Sequence, residues 1–230
     1  MSGYRALTLK TNDMKSKAFI LGGLISILFP ACQPAQTSKN EKPKSQKRQT
    51  TEANRYNIKA MNIYNEEGLD ASGIVLSTLD TALILDPDNM QTYKNKASVL
   101  AASKRYSEAL SVLEIAREKK TKDYQIFVMT GFIEDKQGKT QAAQTMYKTA
   151  IAACSDSIKL YPDSAFFWAE KAFFEHLSEE NGSNRNQMRP VLDKFPEHEG
   201  VKLLFEMFES ESDFRKKIIE GLFNNPKLSG

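Results

Sequence analysis

The sequence predicts an all-α fold: antiparallel helical hairpins stacked as a short solenoid, with a helical cap at the C-terminal end. Three observations carry that reading. A pattern of small, large apolar and alanine positions recurs at a fixed step of 34 residues. The apolar residues within each recurrence keep helical spacing. Helix-stopping turns fall between the units, at Asp86-Pro87-Asp88-Asn89, at Gly138 and at Pro162-Asp163-Ser164.

The recurrence runs Val75, Leu79, Ala82, then Ala109, Leu113, Ala116, then Ala143, Tyr147, Ala150. A second set runs beside it: Tyr93 and Ala97, Phe127 and Gly131, and, after a step of 41, Trp168 and Ala172. Small residues let two antiparallel helices approach, and large ones fill the seam between hairpins. The longer step adds seven residues after Ala150. Seven residues make about two helical turns with a drift of about 20°, so the helix lengthens without rotating its apolar stripe. One helix is expected over residues 139–160, with Tyr147, Ala150, Ile151, Cys154, Ile158 and Tyr161 along one face. Beyond Asn181-Gly182-Ser183 the pattern fades. Met188, Val191, Leu192 and Phe195 predict a short helix with Pro190 in its first turn. Residues 201–208 and 214–223 predict two amphipathic helices that cap the array.

Over residues 56–195 this spacing resembles the tetratricopeptide repeat, whose signature is W-x2-[LA]-G-x2-Y…A-x3-F-x2-A…P. The aromatic, the small residue, the alanine pair and the proline match the residues above. Lys96, Thr130 and Lys171 stand where Leu is usual, and Glu134 and Glu175 where Tyr is usual. The resemblance implies that the first helices of successive hairpins line a concave groove for a protein or peptide partner. The inward positions would be Gln91, Lys94, Ser98 and Ala101, then Gln125, Val128, Phe132 and Asp135, then Phe166, Ala169, Phe173 and His176. Phe132, Phe166 and Phe173 either form an aromatic groove or pack against the tail helices. Members of the family that grip a C-terminal carboxylate use a Lys/Asn set spread over three units. Only Lys94 and Asn95 fall near such positions, so chaperone tails are not the expected ligand.

The N-terminus reads as an address. Lys15 and Lys17 precede an apolar run over residues 18–29, after which Pro30-Ala31-Cys32 leads into polar sequence. Twelve residues is short of the ~20 that a bilayer span needs and suits a secretory signal peptide over residues 1–31, with Met14 the more ordinary start. Phe29-Pro30-Ala31 lacks the paired small residues of ordinary signal-peptidase cleavage. Ala31-Cys32 resembles the lipobox of bacterial lipoproteins. That resemblance implies lipidation of Cys32 and a body facing the periplasm. With Gln33 rather than Asp beside the Cys, and no acidic cluster after it, the resemblance favours the outer membrane over the inner. Residues 33–55 hold no large apolar side chain and carry six positive against two negative charges. Residues 32–55 are therefore expected to be a lipidated Cys and a disordered basic tether. Residues 56–195 form the repeats, and residues 196–230 the C-terminal capping helices.

Charge and chemistry narrow the function. The formal net charge is +3, but residues 56–230 hold 22 positive and 26 negative side chains. A mildly acidic body argues against nucleic acid, which needs a basic face. His176 and His198 have no second ligand at helical spacing, and no glycine-rich phosphate loop occurs. Cys154 falls on an apolar helical face and is expected to be a small buried hydrophobe. No catalytic residue, metal or cofactor is therefore expected. The expected function is a non-enzymatic protein–protein interaction scaffold or adaptor anchored at the bacterial cell envelope. The alternatives are an accessory subunit of an outer-membrane assembly machine, and an envelope enzyme or glycan binder without a recognisable motif.

Overall fold

The computed structural model describes residues 44–119, 123–179 and 185–210, together with 216, 218 and 219. The expected signal peptide, Cys32 and residues 33–43 of the expected tether lie outside the described residues. So does most of the helix expected over 214–223, although Ile218 is helical and buried. The described residues are helical, with no strand among them.

The first hairpin pairs α1 (Lys44–Glu67) with α2 (Ser72–Leu85) through a 3-10 turn, Gly68–Ala71. The expected tether is corrected here, because residues 44–55 belong to α1. The reason is that this helix buries small and polar residues in place of large apolar ones. Ala53, Asn57, Ala60 and Tyr64 recur at helical spacing and are 9% exposed or less. The buried small residue is Ala60 rather than Ile63, where a strict 34-residue step back from Ala97 would fall, because the 3-10 turn lengthens the connection. The stretch Arg48–Leu85 is long and apolar enough by composition to cross a membrane. Gly68, at φ +67°, folds it back on itself instead. Val75, Leu79 and Ala82 then bury completely on the inner face of α2, each large side chain contributing about 1.5–3 kcal/mol.

Asn89 begins α3 (Met90–Ala102), its side-chain oxygen accepting from the Thr92 N–H at 3.2 Å. The second hairpin pairs α3 with α4 (Tyr106–Lys119). Asp123 caps α5 (Tyr124–Lys136), which pairs with α6 (Thr140–Leu160), the long helix expected from the seven-residue insertion. Next come α7 (Ala165–Ser178), a 3-10 turn Arg185–Met188, α8 (Arg189–Lys194) with Pro190 in its first turn, and α9 (Glu199–Ser210).

The repeat positions lie at the helix contacts. Ala82, Ala97, Ala109, Ala116, Ala143 and Ala150 are fully buried, and Ala172 nearly so. Trp168 is half-buried and donates its indole N–H to the Pro162 carbonyl at 2.8 Å. Gly131 faces the Tyr147 ring so closely that an added Cβ would lie 2.5 Å from a ring carbon. Two cores result. Ile126 and Ile133 of α5 face the first, with α1 to α4. Phe127, Val128 and Phe132 face the second, with α6 to α9.

The α3–α4 and α5–α6 turns are the same turn one period apart. In the first, the Lys104 and Arg105 N–H groups donate to the carbonyls of Ala101 and Leu100. In the second, those of Gly138 and Lys139 donate to Asp135 and Glu134. This is the helix stop that needs a left-handed residue, and it holds Lys104 at φ +60° and Gly138 at φ +75°.

Two predictions follow from these contacts. Gly131→Ala should cost about 1–3 kcal/mol by overpacking against Tyr147, read as a lower urea midpoint. Gly73→Ala, which lies in α2 and meets nothing within 4 Å, should instead raise the midpoint slightly, by up to about 1 kcal/mol of helix propensity. Lys104→Gly should raise stability by about 0.5–1 kcal/mol, since glycine relieves the left-handed strain but loses some backbone entropy. A Lys104→Gly variant no more stable than wild type would mean that this turn stores no strain.

Candidate functional site

The first helices of the hairpins, α1, α3 and α5, are tied side by side by polar side chains. Asn89 donates through Nδ2 to Asn54 Oδ1 at 2.8 Å, and Asn95 to Asn57 Oδ1 at 2.9 Å. Gln91 Nε2 donates to Asn95 Oδ1 at 2.9 Å, one turn along α3. Lys94 Nζ reaches Gln125 Oε1 at 2.5 Å and Asp123 Oδ2 at 3.5 Å, crossing from α3 to α5. The result is a ladder of amides running from α1 across α3, ending in one ion pair at the start of α5. Asn54, Gln91 and Ser98 are exposed along it, and Lys94 and Gln125 are half-buried. A primary amide has two donors and two acceptor lone pairs. Asn57 is buried in the seam, so the capacity open to a ligand lies at the exposed Asn54 and Gln91 and the half-buried Asn89 and Asn95.

The other positions expected in the groove are not available. Val128, Phe132, Phe166 and Phe173 are 3 to 8% exposed, so the aromatic groove is replaced by packing within the second core. Phe132 meets Tyr147 edge-on at 5.9 Å, and Phe173 meets Phe208 of α9 at 6.5 Å. Asp135 accepts the Tyr147 hydroxyl at 2.9 Å. Ala101 and Ala169 are buried. His176, expected to line the groove, is 2% exposed with its ring 4.7 Å from Phe208. The tail supplies Val191, Val201, Leu204 and Phe208 to this core, which is why the inward face of α7 is closed.

Asn54, Asn57, Asn89 and Asp123 are the residues the sequence reading missed. Asn54 lay in the presumed tether and Asn57 just beyond it. Their spacing of three and the polar character of a buried helix face were the signals available.

The residues that depart from the repeat signature find local partners. Lys96 pairs with Asp80, Lys171 with Glu175 at 2.5 Å, and Glu134 with Lys139 at 3.4 Å. Among the described residues no group of three His, Cys, Asp or Glu is placed to hold a metal ion. Cys154 is fully buried and its thiol pKa is raised by burial, as in an inert structural cysteine.

Glu170 is the one buried carboxylate of the second core, 6% exposed. Tyr124 of α5 donates to it, and its Oε2 has no partner among the described residues. Asp123 at the start of α5, Cys154 of α6, and Lys171 and Glu175 of α7 are other titratable groups around this cluster. Burial pushes the Glu170 pKa up to about 8, against a smaller lowering by the Tyr124 hydrogen bond. The folded state therefore holds a proton that the unfolded chain releases near pH 4.5. Its contribution to stability is complete below that pH and is lost as pH rises to about 8. Urea midpoints should fall across this window in wild type and fall less in Glu170→Gln. Parallel profiles for the two proteins would show that Glu170 is ionised in the fold.

No protein-family model and no curated protein matches the sequence. Among solved structures the chain is similar to YrrB, described as a TPR protein with an unusual peptide-binding site. The identity is 16% and the TM-score 0.41, over 81% of this chain and 96% of that one. It is also similar to a double mutant of MamA, at 15% identity and a TM-score of 0.36, over 74% and 100% of the two chains. At these values the likeness carries no argument about binding. The class is defined by the helices themselves: a tetratricopeptide-like solenoid of antiparallel hairpins with a helical C-terminal cap.

Proposed function

We propose that the protein is an interaction scaffold at a bacterial cell envelope, held to the membrane through Cys32. It works by binding, and its ligand is an extended segment of a partner protein laid along the polar face of α1, α3 and α5. The observation that carries this reading is the amide ladder of Asn54, Asn57, Asn89, Gln91 and Asn95. Amide side chains in a row offer donors and acceptors to a peptide backbone, whose own N–H and C=O groups are unpaired when extended. Recognition of that kind is tolerant of side-chain sequence. The Lys94–Asp123 pair at one end adds charge selection. Each hydrogen bond gained would contribute about 0.5–1.5 kcal/mol net, so several rungs must act together. Membrane attachment is supported by Lys15, Lys17, the apolar run over 18–29 and the Ala31-Cys32 junction. Two or more acyl chains anchor stably where one does not. The outer membrane is the favoured site, from the residues after Cys32.

Two measurements test this. Metabolic labelling with a palmitate analogue should mark wild type and not Cys32→Ser, and the variant should leave the membrane fraction. In parallel, wild type and an Asn54→Ala/Gln91→Ala variant should be compared in capture from detergent-solubilised envelopes. Both replaced side chains are exposed, so the variant should keep its helical circular dichroism yet lose the partner. Equal capture by both proteins would remove the ladder from the binding site.

A further inference from the structure

We infer that the outer face of α1 docks on an anionic lipid surface, so that the first hairpin lies against the membrane instead of hanging from a tether. The inference rests on the envelope-anchored reading above. Residues 44–59 carry Lys44, Lys47, Arg48, Arg55 and Lys59 against Glu52 alone. Helix formation sorts them. Ala53, Asn57, Ala60 and Tyr64 turn inward and bury. Arg48, Thr51, Glu52, Arg55, Ile58, Lys59 and Asn62 turn outward, and all seven are exposed. Three cations and Glu52 thus share a net positive face about 16 Å long with an isoleucine that is 59% exposed. The hairpin also holds Ile74 and Ile84, 59% and 79% exposed, so it carries three of the six exposed large hydrophobics among the described residues.

An acidic protein would satisfy the charges, but two facts favour lipid. The first is position. Cys32 stands twelve residues before Lys44, and twelve residues span at most ~40 Å when fully extended. An acylated chain therefore keeps α1 close to the bilayer at high effective concentration. The second is composition. Cations around a single aliphatic side chain suit a surface with a charged headgroup layer over an apolar interior, where each Lys or Arg adds about the same increment. The remainder of the body, residues 60–230, is net acidic. An anionic surface would repel it and would orient the molecule with α1 inward.

The test uses the full chain with Cys32→Ser and Ile58→Cys, labelled with a polarity-sensitive fluorophore. A second protein carries the label at Ser107→Cys, exposed on α4; Cys154 is buried and stays unlabelled. Each is mixed with phosphatidylcholine vesicles, with or without phosphatidylglycerol. The expected result is a blue shift at position 58 with anionic vesicles only, none at position 107, and loss of the shift in high salt. Arg48→Glu/Arg55→Glu/Lys59→Glu should weaken the response by at least about tenfold. Equal shifts with neutral vesicles would overturn the proposal, and so would sedimentation with anionic vesicles without a shift at 58. A concentration-dependent shift without vesicles would overturn it in favour of a second copy of the chain. The assay does not involve acylation, so its outcome and that of the palmitate labelling stand apart.

Discussion

The array depends on how closely its helices approach, and Gly131 shows that constraint in a single missing side-chain atom. The Tyr147 ring occupies the space a Cβ would need. With the ring seated there, its hydroxyl reaches Asp135 and its edge meets Phe132. That contact fixes α5 against α6. Buried alanines do the same work at the other junctions, Ala97 and Ala109 in the second hairpin and Ala60 in the first. Only because the hairpins close tightly do their first helices come within hydrogen-bonding reach of one another. The amide ladder is thus a consequence of packing on the opposite sides of the same helices.

The charged residues that break the repeat signature are neutralised near their own position. Lys96, Lys171 and Glu134 each meet an opposite charge from the same or an adjoining helix. Pairs this exposed contribute little to stability. They let a sequence depart from the apolar consensus at seam edges without leaving an uncompensated charge there. Glu170 differs because it is enclosed. Its cost is kept down by a retained proton and by Tyr124.

Much of the architecture was legible because periodicity reports packing. Ala109, Leu113 and Ala116 repeat as Ala143, Tyr147 and Ala150 because the same seam is built twice. The helical phase of the seven-residue insertion followed from its length. The start of α1 was not legible, since its buried stripe consists of Ala53, Asn57 and Ala60, which carry little hydrophobic signal. The candidate site was read only in part. Gln91, Lys94 and Gln125 lie in the ladder, whereas the aromatic positions are covered by a tail whose docking no local pattern encodes. A repeat pattern tells which way a side chain points. It does not tell what lies over it.

α5 presents Ile126 and Ile133 to one core and Phe127, Val128 and Phe132 to the other. Arrays of this kind are quasi-one-dimensional, and a break between neighbours lets one end open alone. Here the break would have to run through the middle of a helix. Losing either half strips one side of α5 and exposes the apolar groups of the other, so opening at one end raises the cost of leaving the other end folded. The two halves should therefore exchange their amide protons as one cooperative unit, while the slowest exchange concentrates in α5 itself.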